Sequence, residues 1–399
     1  MRLAPYALVT VSFVAAVSAQ SGKQFVRPAP GQTPPYSLAV TAGGVIYVAG
    51  QLPTDDKGGL VAGDFAAQAK QVFDNLRAIL TQAGSSLDNA VSATVMLQNA
   101  SDFAALDQIY RQQFKSDPPA RTTIIGNMVR PGALLEIQVT AVPNGVQRKA
   151  ILPAGWMKPT SPYSYAIHAG DTLYMSGLVS RNGKDNMPVA GDIATQVKTI
   201  MDNAGQILQA AGMSYGDLAA GRVALRDMAQ FAAMNDVYRT YWEKDRPARV
   251  SAQVSPPGTF DVEITFTAIK GSSSREVIIP PRADGSPGQA GPNFSPAIKV
   301  GNRLFISGGT GSTPENATDM KAQTTETLTR FGRTLKAAGF DYKDVVAVDV
   351  DITDVQKFAE MNDGYRSFFP TDPPARATLG VGRLAAATAL VEIMVTAVK

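Results

Sequence analysis

Gly43-Gly44-Val45-Ile46-Tyr47-Val48-Ala49-Gly50 returns as Gly170-Asp171-Thr172-Leu173-Tyr174-Met175-Ser176-Gly177, and again as Gly301-Asn302-Arg303-Leu304-Phe305-Ile306-Ser307-Gly308. Each copy is a turn followed by a short β-rich run, which reads as the second arm of a hairpin. Other blocks recur in the same order. Pro119-Ala120-Arg121 returns as Pro247-Ala248-Arg249 and Pro374-Ala375-Arg376, and Leu135-Glu136-Ile137 as Val262-Glu263-Ile264 and Val391-Glu392-Ile393. The arginines stand 128 and 127 residues apart. A period this long exceeds a solenoid repeat and matches a whole small domain.

Outward from these blocks, each copy predicts the same elements. A short β segment opens it, such as Glu276 to Pro280, and a hairpin follows, Tyr36 to Thr41 and Val45 to Ala49. A long amphipathic helix comes next, with Asp64, Asp192 and Asp319 as N-caps. Phe65, Ala69, Val72, Phe73, Leu76, Ile79 and Leu80 fall at helical spacing, and Gly84, Gly212 and Gly339 stand where a helix-ending glycine belongs. A strand follows, then a second helix from Phe103, Phe231 or Phe358, then two closing strands. The fold class is therefore α+β: three tandem domains, at 24–142, 150–270 and 276–399, each a mixed sheet with two helices on one face. Pro143 to Lys149, Gly271 to Arg275 and Pro281 to Pro292 read as linkers. Ile137, Val139 and Ala141 are expected on the bare sheet face, which three copies can bury by packing as an intrachain pseudo-trimer. The chain is then expected to be monomeric.

Composition narrows the chemistry. The chain has 399 residues, net charge +3, no cysteine and one histidine, His168. Thiol nucleophiles, disulfides and multi-histidine metal sites are excluded, and no basic patch supports nucleic-acid binding. The first nineteen residues combine Arg2 with an apolar run to Val17 and the small residues Ser18 and Ala19. They read as a signal peptide cut before Gln20, which predicts a periplasmic or secreted protein without a stable membrane span. Asn99, Asn293 and Asn316 match glycosylation sequons, and Gly308 to Gly311 resembles a phosphate loop without its Lys-Ser/Thr; neither carries weight. Trp156 and Trp242 read as packing residues.

The constellation that could carry chemistry is arginine, glutamate and a small hydroxyl residue. An arginine opening a strand offers a planar, bidentate site for a carboxylate. A nearby glutamate can orient a water and take its proton. A plain salt bridge between strands would use the same residues.

The blocks Tyr-Ser-x-Ala, Ser-Gly, Phe-Ala-x-Met-Asn-x-x-Tyr, Pro-Pro-Ala-Arg and Val-Glu-Ile resemble the RidA/YjgF family, also labelled L-PSP endoribonuclease. The resemblance covers the mature chain three times over. It implies a chorismate-mutase-like fold, pockets between subunits, and cofactor-free hydrolysis of imine or enamine acids to 2-oxo acids and ammonia. Carried over to the second copy, Arg249 would bind the substrate carboxylate and Glu263 would position water. Tyr163 would cap the pocket, and Ser176, Gly177, Asn235 and Ser251 would line it. The third copy offers Ser307, Gly308, Asn362, Arg376, Thr378 and Glu392, with Phe294 for the tyrosine. The first offers Tyr36, Gly50, Arg121, Thr123 and Glu136, with Ala49 for the serine and Asp107 for the asparagine. The clefts are thus expected to be unequal, the one holding Arg249 and Glu263 being the tightest. An imine deaminase is one reading. A non-catalytic module that binds small carboxylates is another, favoured by export. The nuclease label has least support from these residues.

Overall fold

The computed structural model describes residues 22–29, 31–271 and 274–399, so the segment read as a signal peptide lies outside the described residues. Domain 1 runs β1 (Gln24–Val26), β2 (Ala39–Ala42), β3 (Val45–Val48), α1 (Phe65–Gln82), β4 (Ala90–Leu97), α2 (Phe103–Gln113), β5 (Ala120–Ile125), β6 (Asn127–Met128) and β7 (Leu135–Ala141). Domain 2 repeats the plan with β8 (Arg148–Ile151), β9 (Ala166–Ala169), β10 (Thr172–Met175), α3 (Ile193–Ala210), β11 (Leu218–Leu225), α4 (Phe231–Tyr238), β12 (Ala248–Gln253) and β13 (Val262–Ile269). Domain 3 has β14 (Arg275–Ile278), β15 (Ala297–Val300), β16 (Arg303–Gly309), α5 (Met320–Ala337), β17 (Val345–Ile352), α6 (Phe358–Arg366), β18 (Ala375–Gly380), β19 (Arg383–Leu384) and β20 (Val391–Val398). Among the described residues no helix is long and apolar enough to cross a membrane.

Local chemistry sets the helix ends. The carboxylates of Asp64, Asp192 and Asp319 accept the N–H of Ala67, Thr195 and Ala322 at 3.0, 2.9 and 2.8 Å, each a cap worth about 1 kcal/mol. Gly84, Gly212 and Gly339 follow the long helices at φ 74°, 69° and 80°, a left-handed turn that glycine adopts without steric cost.

In domain 1 the strands lie in the order β1-β2-β3-β7-β4-β5. Only β4 and β5 run parallel; the other neighbours are antiparallel. The apolar alternation of β7 faces the helices, contrary to expectation. Ile137, Val139 and Ala141 share one core with Val72, Phe73 and Leu76 of α1. The opposite parity of β7 carries Glu136, Gln138 and Thr140, so the bare face is polar. Strand periodicity identifies two faces but not which one meets the helices.

These polar faces turn towards one another. Gln138 and Thr140, Thr265 and Thr267, and Met394 and Thr396, from the three domains in turn, line one cavity of about 160 Å³. Lining by equivalent residues of all three domains places it on the pseudo-threefold axis. The sheet edges close the ring. Asn127 and Met128 of β6 pair with Gly380 and Leu379 of β18. Arg383 and Leu384 of β19 pair with Gln253 and Ala252 of β12, and Ile125 bridges Ser255. Every domain thus covers an edge of a neighbour, leaving no open row of backbone donors there. Pro281 to Pro292 is a loop between β14 and β15, inside domain 3, and not a linker, because β14 already pairs with β15.

Candidate functional site

The strand that opens with Pro-Ala-Arg lies next to the parallel inner strand, with Arg121, Arg249 and Arg376 paired to Ala93, Gly221 and Val348. All three arginines are buried. The second helix of the same domain supplies two aromatic walls, and the next domain supplies the third. Arg121 Cζ lies 5.5, 4.9 and 6.0 Å from the rings of Phe103, Tyr110 and Tyr163. Arg249 lies 5.7, 4.6 and 5.4 Å from Phe231, Tyr238 and Phe294. Arg376 lies 5.6, 4.7 and 5.4 Å from Phe358, Tyr365 and Tyr36. Aromatic faces hold a guanidinium in one orientation without consuming its N–H donors.

The glutamate facing each arginine comes from the neighbouring domain, which corrects the expectation that Arg249 and Glu263 share a cleft. The inner strand separates the arginine strand from the glutamate strand within a domain (β5-β4-β7, for example). The two residues of one repeat therefore never meet. Glu263 accepts the backbone N–H of Thr123 and feels Arg121; Glu136 accepts that of Thr378 and feels Arg376; Glu392 feels Arg249. The first cleft thus joins Arg121 to Glu263, the second Arg249 to Glu392, and the third Arg376 to Glu136. Burial pushes all three glutamates up to about 8, because a carboxylate away from water loses more solvation than these neighbours restore.

A close approach explains the invariant glycine of the hairpin block. A Cβ on Gly50 or Gly177 would stand 1.7 Å from Oε1 of Glu136 or Glu263, and one on Gly308 would stand 2.4 Å from Oε1 of Glu392. Only glycine lets the carboxyl lie against the backbone there. Gly50 and Gly177 also donate their N–H across the cleft to the carbonyls of Arg376 and Arg121, at 3.1 and 3.2 Å.

Ser176 and Ser307 have a different place from the pocket wall expected of them. Each is buried, and each Oγ accepts the backbone N–H of the preceding domain's arginine, Arg121 or Arg249, at 2.8 Å. Each donates to the carbonyl of Ser164 or Ser295 at 2.6 Å. These hydroxyls pin one domain to the next; Ala49 lacks the pin. A second latch went unread. Ser37, Ser164 and Ser295 each donate Oγ–H to the preceding domain, to the carbonyls of Pro373, Pro118 and Arg246. The serine of the Tyr-Ser block was the signal for it.

The remaining predicted residues sort by cleft. Asn235 and Asn362 each accept from Nη2 of their arginine at 2.7 Å. Asp107 stands in the same place, 2.7 Å from Nη2 of Arg121, as a salt bridge. Thr123, Ser251 and Thr378 are buried two residues beyond the arginines, and Thr123 Oγ1 has no partner. Tyr163, Arg121, Thr123, Gly177 and Glu263 line a cavity of about 380 Å³, together with Arg181, which sequence reasoning missed. Among the described residues no group of acidic or histidine side chains could hold a metal ion.

The profile described as Endoribonuclease L-PSP (Ribonuc_L-PSP) matches this chain at residues 26–143, 155–270 and 286–399. A RutC family protein of Pyrococcus abyssi is 38% identical over 118 residues, 29% of this chain and 93% of its own. The human 2-iminobutanoate/2-iminopropanoate deaminase is 40% identical over 115 residues, 29% of this chain and 84% of its own. The Rid family protein YyfA from Yersinia pestis, of known structure, is 35% identical, covering 30% of this chain and 99% of its own at a TM-score of 0.29. With three profile matches spanning most of its length, the chain belongs to the Endoribonuclease L-PSP family, also called RidA/YjgF, as three tandem domains.

Proposed function

We propose that this chain hydrolyses small 2-imino acids to 2-oxo acids and ammonia in its interdomain clefts. The observation that carries this reading is the pairing of a caged arginine with a buried, neutral glutamic acid from the next domain. In the second cleft, Nε and Nη1 of Arg249 and Oε2 of Glu392 are all buried without a protein partner. A 2-imino acid offers a carboxylate to the first and a basic nitrogen to the second.

The reaction R–C(=NH)–COO⁻ + H₂O → R–CO–COO⁻ + NH₃ needs one group that gives and retrieves protons. The neutral carboxyl passes its proton to the imine nitrogen. As a water oxygen bonds to the imine carbon, the resulting carboxylate takes a proton from that water. The regained proton then goes to the amine of the carbinolamine. The C–N bond breaks, ammonia leaves, and the hydroxyl proton returns to the glutamate as the carbonyl forms. Such proton transfer contributes roughly 10²–10⁴-fold.

The direct test generates 2-iminopropanoate in situ with an amino-acid oxidase and follows its decay. Decay should be faster with the protein present. Binding of 2-oxo acids without acceleration would favour a non-catalytic carboxylate-binding module. Arg249→Lys should weaken pyruvate binding in the second cleft by about 1.5–3 kcal/mol, the worth of a charge-assisted hydrogen bond, since an ammonium cannot form the bidentate pair. Unchanged affinity, read by calorimetry, would make this arginine structural. We further infer that one chain is the complete assembly, because in each domain the edge beside the arginine strand is met by a neighbouring domain of the same chain. Sedimentation should give the mass of one chain; a stable trimer of chains would contradict it.

A further inference from the structure

The first cleft differs from the other two by two charges at separate places. Asp107 replaces the asparagine seen as Asn235 and Asn362, so the charge of Arg121 is already answered by a carboxylate at 2.7 Å. Four residues beyond the cleft glycine, Arg181 replaces Thr54 and Ser312. Arg181 is partly exposed and lines the same 380 Å³ cavity as Arg121 and Glu263. Its Nη1 donates to the carbonyl of Asn186 at 2.7 Å, and its guanidinium lies 5.1 Å from the Phe260 ring. No carboxylate among the described residues forms a salt bridge with it. The uncompensated positive charge of this cleft has moved outward, from the arginine at its floor to one nearer solvent. Tyr163 lines the same cavity and feels both.

Size points the same way. A cavity of 380 Å³ falls within the ~300–1,000 Å³ that house drug-sized ligands, far above the need of a six-heavy-atom imino acid. Phe103, Phe260 and Pro257 give it apolar walls for a longer side chain. Buried polar atoms still wait for partners inside it: Nη1 of Arg121, Oγ1 of Thr123, Oε2 of Glu263 and Oδ1 of Asn186.

We propose that the first cleft selects 2-imino acids whose side chain ends in a second carboxylate, with Arg181 holding that distal group. The inference rests on the deaminase reading and names the substrate class of one of its three clefts. A single carboxylate finds Arg121 already neutralised; a second one finds Arg181 without a carboxylate partner. The three clefts would then divide imines by side chain within one molecule, which no homotrimer of one domain can do.

Calorimetry on the full-length mature chain tests it, with 2-oxoglutarate and pyruvate as stable product probes. The wild-type chain should show one site that prefers 2-oxoglutarate. In Arg181→Ala the ratio of 2-oxoglutarate to pyruvate affinity at that site should fall tenfold or more, the loss of a charge-assisted hydrogen bond. Asp107→Asn, which restores the residue of the other clefts, should raise pyruvate affinity there. If both probes bind but neither variant moves the ratio, this inference falls and the deaminase reading stands. If no 2-oxo acid binds in any cleft and no imine is hydrolysed, both fall.

Discussion

Asp351→Ala is expected to cost the folded chain about 3–5 kcal/mol, the penalty for leaving a buried charge without its partner. The partner is Arg222 of domain 2, whose Nη1 reaches Oδ1 and Oδ2 of Asp351 at 3.1 and 3.0 Å. Asp351 has 1% side-chain exposure and Arg222 17%. Asp349 also acts on the charge of Arg222, but the hydrogen-bonded ion pair itself is made with Asp351. By strand register, Asp351 corresponds to Met96 and Ala224 in the other domains, and Arg222 to Thr94 and Asp349. Asp349 in turn accepts from Nε2 of Gln138 in domain 1 at 2.9 Å. Around the axis, then, domain 2 is tied to 3 and 3 to 1 by different chemistry. In a homotrimer the contacts at all three interfaces would be identical. The double change Asp351→Met with Arg222→Thr, taken from domain 1, should recover most of the loss, since an apolar filling often matches a buried pair. The denaturant midpoint reads both. A loss below about 1 kcal/mol in Asp351→Ala would mean water screens the pair after all.

The fold was legible because three diverged copies report the same elements independently. The cap aspartates, the helix-ending glycines and the aromatic openings of α2, α4 and α6 all carry local meaning, and local meaning survives without coordinates. What failed was relational. The alternation Ile137, Val139, Ala141 marks one face of a strand, but which face meets helices depends on the handedness of a packing that no single strand encodes. Arg249 and Glu263 sit 14 residues apart and read as one site, yet an intervening strand sends each to a different neighbour. Ser176 looked like a pocket hydroxyl because sequence shows a residue type, whereas its role depends on two backbone partners, Ser164 in its own domain and Arg121 in the preceding one. Arg181 escaped notice because it occurs in one copy only, and attention to repeated residues hides what differs. The informative signal for specificity in a fused trimer is the position where the copies disagree.

Replacing all three glutamates, Glu136→Gln, Glu263→Gln and Glu392→Gln, should lower imine hydrolysis by about 10²–10⁴-fold while leaving the fold intact. Glutamine keeps the shape and hydrogen-bonding capacity of a neutral carboxyl but cannot pass a proton. The pH dependence gives the sign. Each glutamate has its pKa raised from the ordinary 4.5 to about 8, so the empty clefts hold the neutral acid at pH 7. The proton-giving form is lost as pH rises through about 8, and kcat/KM of the native chain should fall over that range. Stability should follow the same limb. Between about 4.5 and 8 the folded chain binds more protons than the unfolded one, so stability is greatest below that window and declines as pH rises through it. The triple variant binds no proton at these positions, so its stability should decline less between pH 5 and 9. A residue kept only to bridge an arginine would behave the other way: its removal would destabilise the chain most at high pH, where the carboxylate is charged. The two measurements together therefore separate a proton carrier from a structural ion pair. Restoring one glutamate at a time assigns the remaining activity to a cleft. Full activity in the triple variant would remove the glutamates from the chemistry.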